Sequence, residues 1–467
     1  MRALRHVRIE DFCIVLILMF LGVTGAIPGI APNQASEMTG APATGLQTVV
    51  GIGSQVVINS LIASLLLRHS RLFAHSRAAL HWPFLLAIWA VASTLWSQDA
   101  LLTARHAIPF TLATGFGVLL AVQLGQRRLL FLVQIAFALL ACWSAVLALG
   151  FPVIGLDAST GHGGDWQGAF TQKNACGRAM VFALASVLAS GQFSLGRSLL
   201  FLLFTAELVL SGSRGAWVLG AVLAAALLLF KASCRFDRGT RTAFFAGAAL
   251  VGSCFLVFVA LDFASLAPLL GRDATLTGRT AIWHEVWLSI LHRPALGYGF
   301  SAFWRGAQGA SWDVVVALRF VLFHAHNGFL EIWLELGAVG LLLFALGFAR
   351  AAFLLWPELR AGHFREAAWP LSTLLLVAAY DIDENTLLSF NGLFWVLYSA
   401  ALTHIELLAA DRRAVRSTLR QGAIIAPITL PGWELEAASP RRGYAPYGNF
   451  VPLRQTTAHT ASRSPWL

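Results

Sequence analysis

His324–Gly340 reads HAHNGFLEIWLELGAVG, and the chain continues as LLLFALGFA to Ala349. From Asn327 onward the run is apolar except for Glu331 and Glu335. It is long enough, at ~20 residues or more, to cross the hydrocarbon core of a bilayer as a helix. Two histidines and an asparagine therefore stand at the mouth of a membrane span. What they can do there depends on the side they face and on the charges sharing it.

The rest of the 467 residues reads the same way: 57% are hydrophobic, 12% are charged, and the mean hydropathy is +0.70. Soluble domains carry roughly 45–50% apolar residues. An all-α polytopic membrane protein is expected, with about 12 transmembrane helices of ~20 residues each. The net charge of +10 raises the question of nucleic acid. The basic residues, however, form short clusters between apolar runs, where they orient spans against membrane lipids, and no nucleic-acid partner is implied. Cys13, Cys142, Cys176, Cys234 and Cys254 fall within or beside apolar runs without a CxxC pair, so neither a disulfide framework nor a zinc site is indicated. The opening MRALRHVRIEDFCIVLILMFLGVTGA has the basic start and apolar core of a signal peptide. Because further spans follow at once, it reads as an uncleaved first span.

The spacing predicts spans near 10–28, 47–67, 80–97, 105–125, 129–150, 172–190, 195–212, 214–231, 242–262, 327–349, 367–384 and 388–409. With the N-terminus inside, the inner segments collect most of the 33 Lys and Arg, from Arg2, Arg5 and Arg8 to the arginines of the tail. This is the pattern of cytoplasmic loops, so both termini are placed inside. Arg105, Lys173, Arg178, Arg214, Arg272, Arg279, Arg293, Arg305 and Arg319 fall on the outer side or near it, where topology does not favour them. They need another reason. The chain thus divides into an N-terminal membrane region (1–262), a large outer loop (263–326), a C-terminal membrane region (327–410) and a Pro-, Arg- and Ser-rich tail (411–467) expected to be disordered. In the loop, GRTAIWHEVWLSILHRP puts Ile282, Trp283, Val286, Trp287 and Ile290 on one stripe, which predicts an amphipathic helix lying on the outer interface. GYGFSAFW follows as a Gly and aromatic turn at headgroup level.

Arg214 opens a span in VLSGSRGAW. A charge at membrane depth costs at least ~2.5–3.5 kcal/mol, so it calls for an anionic partner or a water-filled cavity, with snorkelling as the alternative. Arg279 opens the amphipathic helix, and the planar donor fork of arginine suits phosphate oxygens. His326 is followed by Asn327, a usable N-cap, yet imidazole is also the natural neutral-pH base for a sugar hydroxyl. On a regular backbone His324 points away from His326 and takes a supporting place. A two-histidine metal site lacks the helical i, i+4 spacing with an intervening Glu, so no metal is expected. Glu331 shares a helix face with Glu335 below His326. Lys173 and Arg178 add outer cationic charge, and Asp381, Asp383, Glu384 and Asn385 form an acidic outer turn that could balance the arginines or bind a polyhydroxyl acceptor, read mainly as solvated.

GRTAIW, RPALGYGFSAFW and HAHNGFLEIWLELGAVG together resemble the O-antigen ligase and polymerase superfamily, GYGFSAFW being most similar to its exopolysaccharide-production branch. The ligase pattern, His then a small polar residue, then nine residues, Gly, and a small residue three later, is met by His326, Asn327, Gly337 and Gly340. The resemblance covers 278–340 closely, with SGSRGAW and QKNACGR in support, while the first five spans share only hydropathy. It implies a GT-C-like membrane glycosyltransferase of the bacterial inner membrane. Such an enzyme takes an undecaprenyl-diphosphate-linked glycan on the periplasmic side and passes it to a glycan or lipid A core acceptor, without metal or nucleotide sugar. A polysaccharide chain-length regulator is the partner implied for a polymerase. Carried over, Arg214 and Arg279 hold the diphosphate and His326 acts as base. One departure is that the family's Arg is often followed four later by Leu, which Arg272 and Leu276 satisfy but Arg279 and Trp283 do not. The GRTAIW context favours Arg279, with Arg272 in reserve. Ligation to lipid A core or protein stays open beside polymerisation. A lipid-linked oligosaccharide flippase is the alternative of another class, disfavoured because the motifs gather in the outer loop.

Overall fold

The structure, a computed structural model, describes residues 9–23, 45–71, 81–157, 164–192, 194–261, 279–385, 388 and 392–424. The described residues are helical apart from connecting turns and one antiparallel bridge between Leu156 and Trp166. The N-terminal half runs through α1 (Ile9–Gly22), α2 (Gly45–Arg68), α3 (His81–Ala92), α4 (Ala100–Gly150), the single turn α5 (Pro152–Gly155) and α6 (Lys173–Ala189). Next come α7 (Leu195–Leu210), α8 (Arg214–Ser233) and α9 (Arg238–Leu261). The C-terminal part holds α10 (Arg279–His292), α11 (Ser311–Leu318), α12 (Gly328–Ala361), α13 (Phe364–Asp383) and α14 (Leu393–Ile424). One compact unit closes at Val415, and a second begins at Arg416. Helix α14 runs on past 411, where a tail was expected to start, while 425–467 and Arg272 lie outside the described residues.

Val49–Arg68, Ala100–Gly150, Arg214–Ser233, Gly328–Ala361 and Leu393–Thr418 are long and apolar enough to cross a membrane. The other expected spans coincide with helices, but α1, α3, α6 and α7 have only 14, 12, 17 and 16 residues, short of the ~20 a full crossing takes. Within the 51 residues of α4, Gly125 takes φ 65° and ψ 160° and so separates the two spans read from the sequence. The bundle core is aromatic, with Trp369, Trp395, Tyr398, Phe110 and Phe116 fully buried. Phe110 stacks on Trp395 at 4.6 Å between ring centres.

The expected continuous span 327–349 is instead broken at Gly337, where φ is 70° and ψ −176°. A side chain disfavours that backbone, and a Cβ there would collide with the carbonyl oxygen of Ala295. The break frees helix carbonyls, and the preceding loop takes them up. Tyr298 and Gly299 N–H donate to Leu334 and Glu335 O at 3.0 and 2.9 Å, Ala338 N–H donates to Pro294 O at 2.9 Å, and Trp89 Nε1 donates to Leu336 O at 3.0 Å. GYGFSAFW is thus a turn packed into protein. Tyr298, Phe300, Ala302 and Phe303 are buried around the short helix 328–336.

Helix α10 forms where amphipathic periodicity placed it, and the aliphatic part of its stripe faces protein. Ile282, Val286 and Ile290 bury against Tyr298, Phe303, Val314, Leu322 and Leu334. Trp287, Leu288 and Leu291 stay on the exposed side. The physical reason is the second layer supplied by α11 and the 298–303 loop, which offers an apolar protein surface. Helix α13 packs against α6, α8 and α12, which gathers the starts of α6, α8 and α12 with the end of α13 at one end of the bundle.

Candidate active site

The geometry starts at His326, whose φ of 49° places a non-glycine residue in the left-handed region. Such a backbone is sparsely populated, and it clusters at functional sites. It also corrects the expectation that His324 and His326 point apart. The left-handed turn folds the segment back, bringing the rings to 4.0 Å between centres, and His326 N–H donates to His324 Nδ1 at 3.2 Å. Asn327 then caps α12, its Oδ1 accepting from Leu330 N–H at 2.9 Å while its Nδ2 donates to Ile382 O at 3.0 Å. The start of α12 is thereby tied to the end of α13.

Just beyond that end stands Glu384, buried, which sequence reasoning had left in a solvated acidic turn. Its Oε1 accepts from Arg279 Nη2 at 3.1 Å, and its Oε2 lies 3.4 Å from His326 Nδ1. Burial works against its charge, but the contact with His326 and the charges of His326, His324 and Arg178 hold the carboxyl down at about 2. His324 moves to about 4, lowered by burial and by the charges of His326, Arg178 and Arg279 against the pull of Glu384. Arg178 thus belongs electrostatically to the cluster. Its guanidinium lies over the Phe394 ring at 5.2 Å, and its Nε is buried without a hydrogen-bond partner.

The remaining sequence candidates divide. Arg214 is exposed at the start of α8, the helix beside α13, at the same end of the bundle as Glu384. Lys173 is engaged by Asp165 at 2.7 Å, and Asn174 accepts from Ser213 Oγ at 3.0 Å, which stitches the start of α6 to that of α8. Glu331 pins the histidine segment, since its carboxylate accepts from Ala325 N–H at 2.6 Å and Trp304 Nε1 at 2.7 Å. Glu335 accepts from Ser301 N–H at 2.9 Å. Both glutamates hold the loop in place below the site.

His324, His326 and Glu384 each offer one ligand atom, and these atoms lie within 4.8 Å of one another, a grouping that could hold a metal ion. Helical spacing could not reveal it, because the third group arrives from beyond α13. Arg279 already pairs with the same carboxylate and Arg178 adds a second guanidinium, so the local charge opposes a dication. The arrangement suits an anion held beside an imidazole. Two or three guanidinium groups can take phosphate oxygens, and a histidine backed by a carboxylate can accept a proton.

Residues 199–345 match the family described as O-Antigen ligase. The chain is also similar to the curated Exopolysaccharide production protein ExoQ of Rhizobium meliloti (strain 1021), 28% identical over 293 residues, covering 58% of this chain and 64% of that protein. Both findings support the resemblance to the O-antigen ligase superfamily and its exopolysaccharide branch. The matched stretch contains Arg214, Arg279, His324 and His326, while Arg178 and Glu384 lie outside it.

Proposed function

We propose that the chain is a membrane glycosyltransferase of the O-antigen ligase and polymerase type, passing a glycan from undecaprenyl diphosphate to an acceptor hydroxyl on the periplasmic side of the bacterial inner membrane. The observation that carries the proposal is His326, held in a left-handed backbone beside a buried carboxylate that an arginine shares. The diphosphate is a good leaving group. Transfer then needs fixed cations for the developing charge and one base for the incoming hydroxyl.

In this reading Arg279, with Arg178 and Arg214, holds the diphosphate oxygens. The acceptor oxygen forms a bond to the anomeric carbon while the bond from that carbon to the diphosphate oxygen breaks. The bonding electrons leave with the diphosphate, and the acceptor proton passes to His326. Attack opposite the leaving group inverts the anomeric centre. Fixed guanidinium groups occupy the place a dication takes in many phosphate-binding sites, so the reaction is proposed to be metal-independent. The exopolysaccharide relative favours polymerisation of repeat units, with a chain-length regulator as partner. The O-Antigen ligase match keeps transfer to lipid A core as the second reading.

The test is transfer by the purified protein in nanodiscs from an undecaprenyl-diphosphate-linked repeat unit, with EDTA present. New glycosidic bonds of inverted configuration and released undecaprenyl diphosphate are expected. Arg279→Lys, which keeps the charge but loses the two-pronged donor geometry, should transfer well below wild type at a normal protein level. Movement of the lipid-linked donor across the bilayer without a new bond would establish the transporter reading instead.

A further inference from the structure

We infer that Glu384 is a positioning residue that couples occupation of Arg279 by the donor's diphosphate to the orientation of His326. The inference rests on the glycosyl-transfer reading above. One carboxylate serves two claimants. Its Oε1 is 3.1 Å from Arg279 Nη2, inside the ~2.7–3.2 Å of an N–H···O hydrogen bond, whereas its Oε2 is 3.4 Å from His326 Nδ1, outside that range. His326 Nδ1 is buried and has no hydrogen-bond partner within range, so Glu384 is the acceptor next to hand. The Glu384 and Arg279 side chains are only 10% and 13% exposed, so water does little to loosen the contest between them.

A diphosphate offers more negative charge and more oxygens than one carboxylate, and it therefore draws the arginine fork toward itself. Glu384, released from Arg279, closes the remaining few tenths of an ångström onto His326. Its carboxylate then holds the Nδ1 proton, fixes the tautomer with Nε2 as the basic atom, and stabilises the imidazolium that forms when the acceptor proton arrives. The base is thus set when the donor is seated. The same end of the bundle holds the other groups that face this exchange: Arg178 from α6, His324 from the preceding segment and Asp381 from α13, which packs on Gly328. Glu384 lies within 3.4 Å of both Arg279 and His326.

Two effects of opposite sign follow from removing the Glu384 charge. Glu384→Gln removes the carboxylate that competes with the diphosphate for Arg279, so undecaprenyl diphosphate in nanodiscs should bind several-fold tighter than to wild type, while kcat falls roughly 10²-fold because His326 loses its orienting partner. Glu384→Asp retains the charge on a shorter stem, and it should move both readouts in the same directions by less. In an Arg279→Gln background, Glu384→Gln should leave binding unchanged. A purely structural carboxylate would weaken binding and slow turnover together, and that result in either Glu384 variant would overturn the coupling. If undecaprenyl diphosphate binding ignores Arg279→Gln itself, the diphosphate assignment fails. If binding responds to Arg279→Gln but Glu384→Gln does not tighten it, the coupling alone fails.

Discussion

At the scale of single residues, the site is a contest among a few charges, and its protonation sets a pH dependence with a defined sign. His324 sits at about 4 in the folded protein against an ordinary ~6.5. As pH falls, the unfolded chain takes up that proton first, so stability is lost between about 6.5 and 4. Glu384, at about 2 against 4.5, contributes stability that is full above 4.5 and is lost as pH falls through about 2. Both groups act in the same direction. The unfolding temperature in detergent should therefore drop on acidification from pH 7.5 to 5, and His324→Gln should flatten that drop. A temperature that rises over this interval would contradict the assignment. His326 and Arg279 stood out in the sequence as polar residues of an apolar chain, and the structure brings both to Glu384. Glu384 was harder to read, since an acidic turn is usually solvated and contacts between segments distant in sequence, such as Asn327 with Ile382 and Gly328 with Asp381, bring it to the histidines.

At the scale of elements, the decisive feature is the break in α12. Periodicity read 327–349 as one span, because the run is apolar throughout and a single glycine does not interrupt a hydropathy pattern. What the pattern concealed is backbone pairing between 293–299 and the last turn before Gly337. The glycine signal was present in the spacing of Gly337 and Gly340 after His326, but spacing alone does not say that a helix stops there. Gly125 and Gly337 share a left-handed φ, yet a Cβ at Gly125 meets open space whereas one at Gly337 meets the Ala295 backbone. Either alanine must adopt a positive-φ, extended-ψ backbone that is essentially reserved for glycine, at a cost of ~1–3 kcal/mol. Gly337→Ala must in addition push the outer loop away. Thermal unfolding should therefore show Gly337→Ala well below Gly125→Ala, with loss of transfer in the former. Equal unfolding temperatures would mean that the loop does not depend on the break. The α10 stripe teaches a related lesson. Amphipathicity found the helix but could not tell a protein surface from a lipid one.

At the scale of the whole molecule, charge was the most informative sequence property. Arginines gather at the end of α12 opposite His326, where Arg241 donates to Arg360 O, Arg412 pairs with Glu358 and Arg350 pairs with Glu406 at 2.5 Å. Under the positive-inside rule the proposed orientation puts that end in the cytoplasm and His326 on the periplasmic face. Cysteine labelling should place residue 75 inside and residue 310 outside; labelling of 310 from the cytoplasm alone would reverse the orientation. The proposed orientation rests on loop charges, which the sequence displays directly. The outer assembly was not legible there, because its cohesion comes from contacts between segments distant in sequence.

The central claim is that His326 is the base of glycosyl transfer, and one comparison tests it most directly. His326→Ala and wild-type protein are placed in nanodiscs with an undecaprenyl-diphosphate-linked donor and an acceptor glycan, with EDTA present, and donor binding and turnover are measured separately. With the diphosphate held by the arginines, as proposed, binding should stay close to wild type while turnover falls ~10²–10⁴-fold, the usual range for losing a general base. His324→Ala should lose less. Turnover by His326→Ala at the wild-type rate would contradict the account, and wild-type activity that EDTA abolishes would return His324, His326 and Glu384 to the role of metal ligands.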